Sequence, residues 1–187
     1  MRRIETVYLA GPDLWYPEAA ELFARKQDIC QAAGFVAVSG RHEPLVETEP
    51  SEAMAREIYA TVLERLRAAD AVVVNLTPWR GPNADPGAAF EAGFAAALGK
   101  PVFAYMNVAS EDDADHRDRV EIALGATLDA DGTWRDGEGC EIEDFALPET
   151  LMLWAEARRF FVIVTPEPRE DITGLELCLD TVGLYSE

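Results

Sequence analysis

The sequence predicts an α/β fold, a doubly wound parallel sheet of about five strands with helices on both faces. Three observations carry that prediction. Short apolar runs recur at Val7–Ala10, Phe35–Val38, Ala71–Leu76 and Val102–Met106. Longer segments with apolar residues at helical spacing separate them. The connections are short and marked by Gly, Pro or Asp. A chain that alternates in this way returns to the same sheet edge after every helix, which makes neighbouring strands parallel.

The first run, Tyr8-Leu9-Ala10, is stopped by Gly11-Pro12. A helix is expected from Pro17 to Ala33, with Ala20, Leu22, Phe23, Ile29 and Cys30 at helical spacing and Gly34 as its stop. Phe35–Val38 is the second strand, and Arg41 to Pro50 a polar loop with two prolines. Ser51 caps a second helix, whose stripe of Ile58, Val62, Leu63 and Leu66 runs through to Ala69. Ala71–Leu76 is so continuously apolar and β-branched that burial on both faces is expected. After a Pro/Gly loop over 77–84, Asp85-Pro86-Gly87 opens a third helix reaching Leu98, with Asp as the cap and Pro in the first turn. Gly99-Lys100-Pro101 ends it before the fourth strand.

The segment 110–140 is rich in Asp, Glu and Gly and lacks apolar periodicity, so a mobile acidic surface loop or lid is expected there, with a short helix near Arg119–Leu124. Glu141 to Ala155 regains an apolar pattern. Arg159–Val164 is a fifth strand, and Asp171–Leu184 a closing helix weakened by Gly174 and Gly183. No repeat or linker divides the chain, so one domain spanning 1–187 is expected. In a parallel sheet the site lies at the carboxyl ends of the strands. The loops after Ala10, Leu76 and Met106 are therefore expected to meet at one crevice.

Composition narrows the function. The net charge of −19 argues against a nucleic acid polymer as partner, because such binding needs Lys/Arg surfaces to displace counterions. A small neutral substrate remains compatible with it. The apolar runs are too short to span a bilayer, and the acidic turn at Glu5 does not suit a signal peptide, so a cytoplasmic protein without a membrane partner is expected. Cys30, Cys140 and Cys178 form no CxxC pair, and the histidines are only His42 and His116, which leaves little material for metal or triad chemistry.

Asp85 and Glu91 are the candidate catalytic pair. Both lie near the positive end of a helix dipole, and Glu91 is set among Ala88, Ala89, Phe90, Ala92, Gly93 and Phe94. A carboxylate in such small and aromatic company suits attack on an anomeric carbon through a covalent intermediate. Residue types alone also allow Asp85 to be only a cap and Glu91 to face solvent. Tyr8–Pro12 reads as a strand end or a substrate loop and lacks the GxGxxG spacing of a dinucleotide site. Trp15 and Tyr16 just beyond it suit either packing or stacking on a base, and Arg80 beside Trp79 either a rigid loop or a pocket wall.

Taken together, Tyr8–Pro12, Ala68–Pro82, Ala84–Pro101 and Glu143–Leu153 resemble the nucleoside 2-deoxyribosyltransferases, in order over residues 7 to about 155. The resemblance implies a flavodoxin-like (Rossmann-like) sheet, a homo-oligomer, and cofactor-free exchange of a 2-deoxyribosyl group between nucleobases. It places the nucleophilic glutamate on Glu91 and its companion aspartate on Asp85. It implies that Tyr8 and Gly11 wall a substrate pocket that also takes in Val62 and Thr150, and Asp13, Trp15, Arg80, Gly87 and Met152 are expected to complete that pocket. Two of these depart from the family pattern. Val62 stands where relatives carry Asp or Asn toward the base, and Thr150 stands where they carry Asn. Val offers no hydrogen bond, and Thr offers a shorter one. Two alternatives stay open: an N-glycoside hydrolase of the same chemistry, which an acceptor base would not divert, and a nucleoside-binding module without turnover.

Overall fold

The computed structural model describes residues 3–40 and 49–186. Most of the loop expected at 41–50, with His42, lies outside the described residues. In chain order the elements are β1 (Thr6–Ala10), a 3-10 turn (Pro12–Trp15), α1 (Ala19–Ala32), β2 (Val36–Ser39), α2 (Glu52–Ala68), β3 (Ala71–Asn75), α3 (Pro86–Ala97) and β4 (Val102–Val108). There follow α4 (His116–Leu124), the short strands β5 (Thr127–Leu128) and β6 (Trp134–Arg135), α5 (Leu151–Glu156), β7 (Phe160–Val164) and α6 (Thr173–Ser186).

The main sheet has the order β2-β1-β3-β4-β7, and every pairing in it is parallel. With the small β5–β6 hairpin set aside, this is the 2-1-3-4-5 order of the flavodoxin-like fold, as expected. The strand period of two divides the core. Val7, Val73, Phe103 and Tyr105 face α1 and α6 through Cys30, Leu175, Cys178 and Leu179. Tyr8, Val72, Val74 and Ala104 face α2 and α3 through Leu63, Leu66, Ala88, Ala92 and Ala95. β3 is buried along its whole length, which accounts for its unbroken apolar sequence.

Segment 110–140 differs from the irregular loop expected. It holds a 3-10 turn, a helix longer than Arg119–Leu124, and the antiparallel β5–β6 hairpin. The reason is Arg119, a buried cation whose guanidinium donates to the carbonyls of Pro82, Asp113 and Pro148 at 2.7–2.9 Å and faces buried Glu149 at 3.5 Å. These bonds tie the acidic segment to the loop before α3. Gly174 does not break α6: a Cβ there would strike the Tyr105 ring, so the glycine lets the helix start flush against β4.

Because the strands are parallel, the loops after β1, β3, β4 and β7 emerge on one edge. Side chains join them. Asn75 donates to Asp13 Oδ1 at 2.9 Å, and its own Oδ1 accepts from the Thr77 hydroxyl at 2.6 Å. That hydroxyl oxygen accepts from the Asn107 amide at 3.0 Å, and the Asn107 side chain donates to the carbonyls of Pro168 and Asp171.

Candidate functional site

Tyr8 is fully buried on the α2/α3 side of β1, one residue pair from the strand end. Its hydroxyl donates to Glu91 Oε1 at 3.0 Å. Glu91 is brought there by α3. Asp85 caps that helix, its Oδ2 accepting from the Ala88 amide at 2.9 Å, and Pro86 occupies the first position. Gly87 leaves room for the cap, since a Cβ there would lie 2.9 Å from Asp85 Oδ2. Ala88, Ala92 and Ala95 are buried, so the helix lies close to the sheet and carries Glu91 down to the tyrosine.

Burial pushes the Glu91 carboxyl up to about 7; the Tyr8 hydrogen bond opposes that shift and the nearby Asp85 charge adds to it. Burial and the adjacent carboxylate push the Tyr8 phenol far above its ordinary range, so it stays a donor throughout the neutral region. The result is a carboxyl poised to ionise near neutrality, with one fixed hydrogen bond to its charged form.

Gly40, just after β2, closes the corner. A Cβ built on it would lie 2.7 Å from the Tyr8 hydroxyl oxygen, 3.0 Å from Val62 Cγ2 and 3.4 Å from Glu91 Oε1. Val62 therefore borders the same corner as Glu91, half-buried against the core stripe of α2.

The remaining predicted residues are spread along the edge. Gly11 has φ +150° and sits so close to β3 that a Cβ would fall 2.7 Å from Asn75 Cβ. Asp13 has both oxygens engaged, one by Asn75 and the other by the buried Lys26 ammonium at 2.8 Å. Lys26 also donates to the Tyr105 hydroxyl at 2.9 Å. Trp15 is half exposed, whereas Tyr16 is buried against Trp79, with Arg169 over its ring. Arg80 is exposed, has φ +54° and lies over the Trp79 ring. Thr150 and Met152 stand at the start of α5, which packs on α3; Met152 is 75% exposed.

Three contributors escaped the sequence reading: Gly40, Lys26 and the Arg119–Glu149 pair. Lys26 had a signal, because it falls on the i, i+4 stripe between Leu22 and Cys30, which marks it as inward-facing. Among the described residues no cluster of His, Cys, Asp or Glu is placed to hold a metal ion.

The profile of the family "Nucleoside 2-deoxyribosyltransferase" matches residues 7–152. An uncharacterized protein of Schizosaccharomyces pombe is 35% identical over 103 residues, 54% of this chain and 49% of that protein, so the chain spans about half the length of the curated relative it matches. A 2-deoxyribosyltransferase of Leishmania mexicana shares the fold with a TM-score of 0.62 at 23% identity, over 94% of this chain and 97% of that one. A 2-deoxyribosyltransferase of Bacillus psychrosaccharolyticus does so with a TM-score of 0.53 at 20% identity, over 91% and 90%. The profile match takes in nearly all of β1, Asp85 at the cap of α3, Glu91 within it and the start of α5, and on it the chain belongs to the nucleoside 2-deoxyribosyltransferase family.

Proposed function

We propose that this protein transfers a 2-deoxyribosyl group between nucleobases through a glycosyl-enzyme on Glu91. A Glu91 carboxylate oxygen attacks C1′ as the C1′–N bond breaks, and the departing base keeps the bonding pair and takes up a proton. An acceptor base nitrogen then attacks C1′, the C1′–O bond breaks, Glu91 regains its pair, and the acceptor loses a proton. Protons and charge balance over the cycle, so no cofactor is called for.

The observation that carries this reading is the half-buried Glu91 carboxyl held by Tyr8 at the carboxyl edge of the sheet. Asp85 fixes the helix that presents it. Tyr8, Val62 and Gly87 form the near wall of the substrate pocket, with Gly11, Trp15, Arg80, Thr150 and Met152 further along the edge. Asp13 serves this pocket through the loop it locks.

The apolar Val62 favours a second reading of the same chemistry, in which water resolves the glycosyl-enzyme because an acceptor base is poorly held. Incubation with a panel of 2′-deoxynucleosides and free bases, followed by chromatography, decides between them. Transfer gives new nucleosides, whereas free sugar that no acceptor base diverts removes the transferase reading. The reading includes a homo-oligomer, since Phe145, Leu151, Met152 and Trp154 expose apolar surface around α5 beside α3.

A further inference from the structure

We propose that Gly40 is a positioning residue for the Tyr8–Glu91 pair, and that Arg65 holds it in place. This rests on the reading of Glu91 as the nucleophile. Gly40 does not have the positive φ that would itself require glycine, so its backbone would accept a side chain. What forbids one is the corner it faces. A single methyl would fall 2.7 Å from the Tyr8 hydroxyl oxygen and 3.4 Å from Glu91 Oε1, beside the 3.0 Å bond that joins them. It would also touch Val62 Cγ2 at 3.0 Å.

Neither side has an easy retreat. Tyr8 is fully buried in the core formed with Leu63, Val72 and Ala92, so its ring cannot swing clear. The Gly40 backbone is clamped, because the Arg65 guanidinium donates to the carbonyls of Ser39 at 3.0 Å and Gly40 at 3.1 Å. The arginine is anchored on α2, the helix that also carries Val62. A methyl at position 40 therefore disturbs the hydrogen bond and removes space for solvent beside the carboxylate. Both effects disfavour the ionised carboxyl. The charged or titratable groups that bear on this pair are Tyr8 itself on β1, Asp85 at the head of α3 and Arg65 on α2.

The test is Gly40→Ala, made in the natural sequence and in Tyr8→Phe. The Glu91 side-chain carbon is followed by NMR through a pH titration, with Glu91→Gln assigning its signal. kcat and KM are measured in parallel, and thermal unfolding checks the fold. The expected result in the natural sequence is a Glu91 midpoint moved to higher pH, with kcat down roughly 10–100-fold, the span of one hydrogen bond to a charged group. In Tyr8→Phe the methyl has no hydroxyl to displace and only its crowding of the carboxylate remains, so Gly40→Ala should cost clearly less in kcat there than in the natural sequence. Gly40→Ala that leaves the Glu91 midpoint in place overturns the proposal, as does an equal loss of kcat in both backgrounds. A shifted midpoint with turnover unchanged at a pH between the two midpoints upholds the role of Gly40 and overturns the reading of Glu91 as nucleophile.

Discussion

The Tyr8 hydroxyl donates to Glu91 Oε1 at 3.0 Å, across 83 residues of sequence and between the first strand and the third helix. The bond is made to the charged form of the carboxyl, and it opposes the burial that pushes Glu91 up to about 7. Turnover that requires ionised Glu91 should therefore rise with pH through about 7. Tyr8→Phe removes the bond, so the rising limb should move to higher pH and kcat should fall roughly 10–100-fold. A pH profile of kcat for both proteins checks this.

Burial of Glu91 also bears on stability. Its folded carboxyl titrates above the ordinary value, so the folded state holds the proton more tightly than the unfolded chain does. Stability from this group is full below pH about 4.5 and is lost as pH rises through about 7. Glu91→Gln, which is neutral at every pH, should therefore unfold at a higher temperature than the natural protein at pH 8 and show no gain at pH 4. The expected rise is at least about 2–4 °C, the shift that one kcal/mol produces in a chain of this size. Calorimetry at the two pH values measures it.

Much of this was legible in the sequence, and the exceptions share a cause. β3 announced itself because both its faces are buried, and α3 because Asp85 and Pro86 are the residues a helix start needs. Glu91 stood out as a charge on an otherwise small and apolar helix. The polar links were less visible, because each depends on two distant residues meeting. Lys26 lies on the inward stripe of its helix, but its partners Asp13 and Tyr105 come to it only in the fold. Arg119 and Glu149 are ordinary charges in an acidic segment until the segment folds around them. Gly40 has no side chain by which to signal, and its importance lies in what surrounds it.

Val62 borders the Glu91 corner without a hydrogen-bonding group. A buried base atom that faces it goes unpaired, at about 1–3 kcal/mol. Val62→Asn and Val62→Asp should shift the order of preference among nucleobases or raise the rate of exchange. The same base panel, run on both variants and the natural protein, checks this; preference and rate unchanged in two folded variants would remove Val62 from the pocket.

Met152 is 75% exposed beside half-exposed Trp154 and Leu151 on α5. If this face joins subunits, Met152→Glu places a charge in an apolar contact and should dissociate the assembly. Sedimentation velocity at micromolar concentration should find an oligomer for the natural protein and monomer for the variant. A natural protein that sediments as a monomer contradicts this assignment of the face.

In the proposed reaction Glu91 bonds to the sugar. The most direct measurement is peptide mass spectrometry after the protein is mixed with a 2′-deoxynucleoside in the absence of acceptor base and quenched rapidly. The predicted result is a deoxyribosyl mass on the peptide that contains Glu91, discharged when acceptor base is added before the quench. Glu91→Gln should show no adduct and lose more than about a thousandfold in kcat, because an amide is a poor nucleophile. An adduct on another residue, or wild-type turnover by the folded Glu91→Gln protein, would contradict the account.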